Sequence, residues 1–73
     1  MCILPQNSLT IYNFDNFDTI SLKDKVDITL YRHSDGRKVV LGIYSSEERA
    51  KEVFKQILAY INGGKPLYQM PKE

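Results

Sequence analysis

Residues 45–64, Ser45-Ser46-Glu47-Glu48-Arg49-Ala50-Lys51-Glu52-Val53-Phe54-Lys55-Gln56-Ile57-Leu58-Ala59-Tyr60-Ile61-Asn62-Gly63-Gly64, decide the fold. Ala50, Val53, Phe54, Ile57, Leu58 and Ile61 recur at the i, i+3, i+4, i+7, i+8, i+11 spacing of one helical stripe, and Glu48, Glu52, Lys55 and Ala59 fall opposite them. Ser45 and Glu48 stand at the spacing of a capping box, with Glu47 and Glu48 near the positive end of the helix dipole. Gly63-Gly64 supplies residues that can take the left-handed conformation closing a helix. The pattern predicts a helix over 46–62 whose apolar face must lie on a sheet.

That sheet is read immediately upstream. Val26 to Ser34 and Arg37 to Tyr44 flank Asp35-Gly36, a pair that favours a two-residue hairpin turn. In that register Leu30 faces Leu41 and Ile28 faces Ile43, so Val26, Ile28, Leu30, Val39, Leu41 and Ile43 form the surface for the helix to cover. The other face carries Tyr31, Val40 and Tyr44. Either the N-terminal strands curl over it as a second layer of core, or it is an exposed aromatic interface for a protein partner or a second copy.

Further upstream, Cys2 to Pro5 and Ser8 to Tyr12 read as short strands around a Gln6-Asn7 turn, and Phe17 to Leu22 as a third. Asn13-Phe14-Asp15 and Asn16-Phe17-Asp18 read as consecutive turns, because Asn and Asp side chains bond nearby backbone amides. The expected architecture is α+β: a small antiparallel sheet of about four to five strands packed against one C-terminal helix. A single domain spans 1–64. Residues 65–73 follow as a tail anchored by Leu67, Tyr68 and Met70.

Seventy-three residues allow one hydrophobic core, and a chain this short buries only roughly 60% of its unfolded surface, which favours self-association, most simply as a homodimer. The formal net charge of +1 gives no field of one sign such as non-specific nucleic-acid binding needs. Cys2 is the single cysteine, which excludes an internal disulfide and a cysteine-based metal site and fits a cytoplasmic setting. No apolar run reaches membrane-span length, and Met1 to Pro5 lacks the features of a signal peptide.

Few residues suggest chemistry. His33, the single histidine, sits beside the hairpin turn without a nucleophile or an orienting partner in its neighbourhood. Asp15, Asp18, Asp24 and Asp27 do not have calcium-loop spacing and read as turn caps. No phosphate-binding glycine loop occurs, so no catalytic residue, metal or cofactor is expected. Arg32, Arg37 and Lys38 gather positive charge near the hairpin tip and could hold an anion, although strand alternation sets Arg32 and Lys38 on opposite faces.

Leu41-Gly42-Ile43-Tyr44-Ser45-Ser46-Glu47-Glu48-Arg49-Ala50-Lys51-Glu52-Val53, followed by Tyr68-Gln69-Met70-Pro71, resembles a group of small proteins common in Firmicutes and their phages and prophages. Gln6-Asn7 and Asn13-Phe14-Asp15 match the turn and the Asn-Phe-Asp-like segment found near the start of those proteins. The resemblance implies a phage- or prophage-associated accessory protein with no catalytic residues to carry over. Two expectations follow. One is a non-enzymatic module whose Tyr31, Val40 and Tyr44 face docks on a host or phage protein, as inhibitors of host defence do. The other is an oligomeric binder that sequesters a nucleotide through Arg32, Arg37 and Lys38.

Overall fold

The computed structural model describes residues 1–73 and has the α+β architecture expected, built from six strands in two sheets and one helix. In chain order these are β1 (Cys2–Leu4), β2 (Tyr12–Asn13), a 3-10 turn (Phe14–Asn16), β3 (Thr19–Lys23), β4 (Asp27–Arg32), β5 (Arg37–Ile43), α1 (Glu47–Asn62) and β6 (Leu67–Gln69). One sheet has the order β3-β4-β5 and is antiparallel throughout; the other has the order β2-β1-β6, with β1 antiparallel to β2 and parallel to β6. The expected single sheet is therefore two.

The helix begins where the sequence places it, with a different cap. Ser46 is the N-cap and its hydroxyl accepts from the Arg49 amide at 3.1 Å, so the capping pair of Ser45 and Glu48 does not form. At the other end Gly64 takes φ +65, the Gly64 amide bonds the Ile61 carbonyl and the Lys65 amide reaches back to the Tyr60 carbonyl, which is a Schellman closure. Ala50, Val53 and Ile57 are fully buried, and Phe54 packs beside them. Leu58 and Ile61 are exposed, against expectation, because a stripe of six is wider than the narrow sheets beneath can cover.

The hairpin register also differs. Arg32 pairs with Arg37, so the loop holds His33, Ser34, Asp35 and Gly36 rather than two residues. The Asp35 carboxylate closes it by accepting from the Arg37 amide and the Arg32 guanidinium, and Gly36 takes the positive φ of +70. Farther along, Thr29 pairs with Val40 but Ile28 pairs with Gly42, which leaves Leu41 as the extra residue of a β-bulge. A bulge reverses the alternation beyond it. Leu41 and Tyr44 are therefore buried while Ile43, expected in the core, is exposed.

Gln6 holds the bulge in place. Its amide donates to the Leu41 carbonyl at 2.7 Å, its Oε1 accepts from the Ile43 amide at 2.9 Å, and its Nε2 donates to the Lys72 carbonyl at 2.5 Å. Residues 65–73, expected as a tail, are thus tied into the structure. They contribute β6, place Tyr68 and Met70 in the core, and leave Leu67 exposed. Ser8 to Ile11 is not a strand, while Asn13 caps the 3-10 turn by accepting from the Asp15 amide as the Asn-Asp pattern suggests. The core gathers Ile3, Ile28, Leu30, Leu41 and Tyr68 from the two sheets around Val53 and Ile57 of the helix.

Candidate functional site

Ile3, Tyr68, Val53 and Ile57 share one core with Ile28, Leu30 and Leu41 of the β3-β4-β5 sheet, and the opposite face of that sheet lies outside this core, with Thr29 buried at its centre at 2% exposed. Alternation from the observed register puts Thr19, Ser21, Asp27, Thr29, Tyr31, Lys38 and Val40 on that face, and the bulge adds Ile43. Val40 is 46% exposed and Ile43 56% exposed; Tyr31 is half-buried and meets the His33 ring edge-on at 4.9 Å. The N-terminal strands do not curl over it. Of the three side chains predicted for an interface, Tyr31 and Val40 stand together there and Tyr44 does not.

Tyr44 instead points into the core, 3% exposed, with its hydroxyl donating to the Pro71 carbonyl at 2.8 Å. Burial pushes its phenol up to about 12. Ile43 is the residue the sequence pattern misses. The bulge responsible has one local signal, Gly42, since an isolated glycine inside a strand marks such a bend.

The basic residues near the tip do not converge. Arg32 holds Asp35 with two hydrogen bonds, of 3.0 and 2.8 Å, and its guanidinium lies over the Phe17 ring at 5.5 Å. That side-chain bond, with the Arg37 amide, lowers the Asp35 carboxyl to about 2. Arg37 lies over the Tyr12 ring at 5.8 Å, on the same face as Arg32, whereas Lys38 is across the sheet beside Tyr31. These arginines act as clamps on the N-terminal aromatics. Tyr12 and Phe17 meet edge-on at 6.2 Å and close that end of the core.

His33 contributes its amide to the Asp18 carboxylate at 2.6 Å, and no acid or base partner contacts its ring. No three metal-ligating side chains come together. A single open cavity of about 280 Å³ is present, bounded by Leu4, Pro5 and the Asn7-Ser8-Leu9 loop on one side and by Gln69, Met70 and Lys72 on the other. No helix is long and apolar enough to cross a membrane. What the geometry offers is surface for binding: the exposed Val40 and Ile43 on the outer sheet face and a cavity beside β6. Comparison of the chain with protein-family models, with curated proteins and with solved structures finds no match in any of the three.

Proposed function

We propose that this chain is a non-enzymatic binding module, a phage- or prophage-associated accessory protein that docks on a host or phage protein through the open face of the β3-β4-β5 sheet. The observation that carries this reading is the Leu41 bulge, which turns Ile43 outward onto the face that also carries Val40 and Tyr31. A bulge kept in register by two hydrogen bonds to Gln6 exposes a β-branched side chain that simple alternation would have buried. Apolar side chains on a face rimmed by Lys38, Asp27 and Thr19 have the composition of a protein interface with a polar edge. The nucleotide alternative lacks the convergence it needs, because Arg32 is engaged by Asp35 and Lys38 lies on the other side of the sheet.

The test compares the parent chain with Val40→Asp/Ile43→Asp in affinity capture from a bacterial lysate and in light scattering from low to high micromolar protein. A partner held by the parent and lost by the double variant supports docking at this face. A dimer that the double variant converts to monomer makes the partner a second copy. Captured proteins and oligomeric state that are identical for the two chains overturn the reading.

A further inference from the structure

A second binding surface lies on the β2-β1-β6 sheet, and it does not depend on the reading above. The Cys2 amide donates to the Pro66 carbonyl at 2.8 Å and the Met70 amide to the Leu4 carbonyl at 3.0 Å, with Cys2 opposite Leu67 and Leu4 opposite Gln69. In a parallel ladder this phase directs the backbone groups of Pro66, Tyr68 and Met70 at β1 and those of Leu67 and Gln69 away from it. No hydrogen bond from elsewhere in the chain reaches the amides or carbonyls of Leu67 and Gln69. β6 thus presents two donors and two acceptors in a row at an open edge.

The cavity adjoins that edge. Gln69 lines it, together with Leu4, Met70 and Leu9, and Leu9 is fully exposed. Leu67 is exposed on the same outer face of the sheet, opposite to the face that Ile3 and Tyr68 turn to the core. A leucine with no internal contact, at the rim of a cavity, beside an unpaired strand edge, places an apolar subsite next to a backbone that can accept one more strand.

Lysines flank the edge, and the one carboxylate beside them, that of Glu73, is engaged by the Ser45 amide and hydroxyl. Residues 2–11 carry none, and between Gly63 and Lys72 the charged side chains are Lys65 and Lys72, one at each end of β6, neither in an ion pair. We infer that the β6 edge takes a short acidic extended peptide from a partner protein, which adds beside β6 as a further strand and seats one apolar side chain against Leu4, Leu9 and Met70 while its carboxylates meet Lys65 and Lys72. Strand addition draws affinity from main-chain bonds and specificity from a side-chain pocket, and both are present here. Pro66 and Pro71 bracket the edge, so pairing stops after about four residues and does not propagate between copies.

The test uses isotope-labelled full-length chain and two capped synthetic peptides of alternating valine and threonine around a central phenylalanine, one ending in aspartates and the other in lysines. The acidic peptide is expected to shift the amides of Leu67, Gln69 and Leu9, to slow hydrogen exchange at Leu67 and Gln69, and to bind about tenfold or more tightly than the basic one. Gln69→Pro removes an amide that no internal bond uses, and Leu9→Asp alters a side chain with no internal contact. Each should weaken the acidic peptide about tenfold or more with the melting temperature unchanged. If Gln69→Pro unfolds the chain, Leu9→Asp decides alone. Absence of shifts at millimolar peptide, equal affinity for the two peptides, binding that both substitutions leave intact, or shifts centred on Tyr31, Val40 and Ile43 would each overturn the inference; the last would leave the open-face reading standing.

Discussion

A Cβ at residue 42 would stand 3.0 Å from the Tyr44 hydroxyl and 3.1 Å from its Cε2. The ring could step aside if it were loose, but it is buried and tied through its hydroxyl to Pro71. Gly42→Ala is therefore expected to cost roughly 1–3 kcal/mol, as overpacking of a filled site does. On a chain of this size that lowers the melting temperature by on the order of 5–20 °C, measurable by thermal circular dichroism. An unchanged melting temperature would mean that Tyr44 is free to move. The same ring sets an alkaline limit. The unfolded phenol ionises near 10.0 and the folded one near 12, chiefly through burial, so its contribution to stability is full below pH 10 and is lost as pH rises from 10 towards 12. Tyr68 is shifted in the same direction, again chiefly by burial. Denaturant midpoints measured from pH 8 to 11.5 should decline above 10 in the parent and decline less steeply in Tyr44→Phe, with Tyr68 supplying the remainder. A slope identical in the two proteins would remove Tyr44 from the account.

At the scale of elements, neighbouring helix positions separate the structure from the simple stripe. Ile57 is fully buried and Leu58 is 43% exposed. Ile57→Asp puts an unpaired carboxylate into the core and should unfold the chain, since the penalty of several kcal/mol is comparable with its whole stability. Leu58→Asp should shift the melting temperature by no more than a few degrees. Two equally unstable variants would show that the stripe is covered in full. Helix α1 is legible in the sequence because its signals are local: the 3.6-residue period, Ser46 at one end and Gly64 at the other all lie within twenty residues. The hairpin is legible and its register is not. Val39, Leu41 and Ile43 alternate so regularly that nothing in their apolar character betrays the bulge. What stabilises it is Gln6, whose side chain reaches β5 from a loop more than thirty residues upstream. Tyr31 and Val40 therefore lie on the outer face where the alternation puts them, while Tyr44 and Ile43, the two residues beyond the bulge, exchange faces.

At the scale of the molecule, the least legible feature is the closure of the two ends of the described chain on each other. The parallel pairing of β1 with β6 joins residues some sixty-five positions apart, and two three-residue strands flanked by prolines carry too little pattern to announce it. Its consequence is that residues 67–73 are part of the core rather than an appendage. Tyr68 and Met70 are 4% and 3% exposed, and the Tyr68 hydroxyl donates to Gln56 at 2.7 Å. The Pro71 carbonyl receives Tyr44, the Glu73 carboxylate receives the Ser45 hydroxyl, and the Glu73 backbone carbonyl receives the Arg49 guanidinium at 2.9 Å. Deleting residues 67–73 removes two large core side chains at a cost of roughly 5–10 kcal/mol. That is comparable with the total of roughly 4–11 kcal/mol for a chain of this length at about 0.05–0.15 kcal/mol per residue. The shortened chain is expected to lack cooperative thermal unfolding and to give a collapsed amide spectrum. Deleting only residues 72–73 keeps β6, Met70 and the Tyr44 bond to Pro71, and sacrifices exposed contacts with Gln6, Ser45 and Arg49, so it should lower the melting temperature by only a few degrees. The contrast isolates β6 as the element that closes the fold. If the chain ending at residue 66 melts cooperatively within a few degrees of the parent, β1 is held by β2 and the helix alone, and the pairing of the two ends is dispensable.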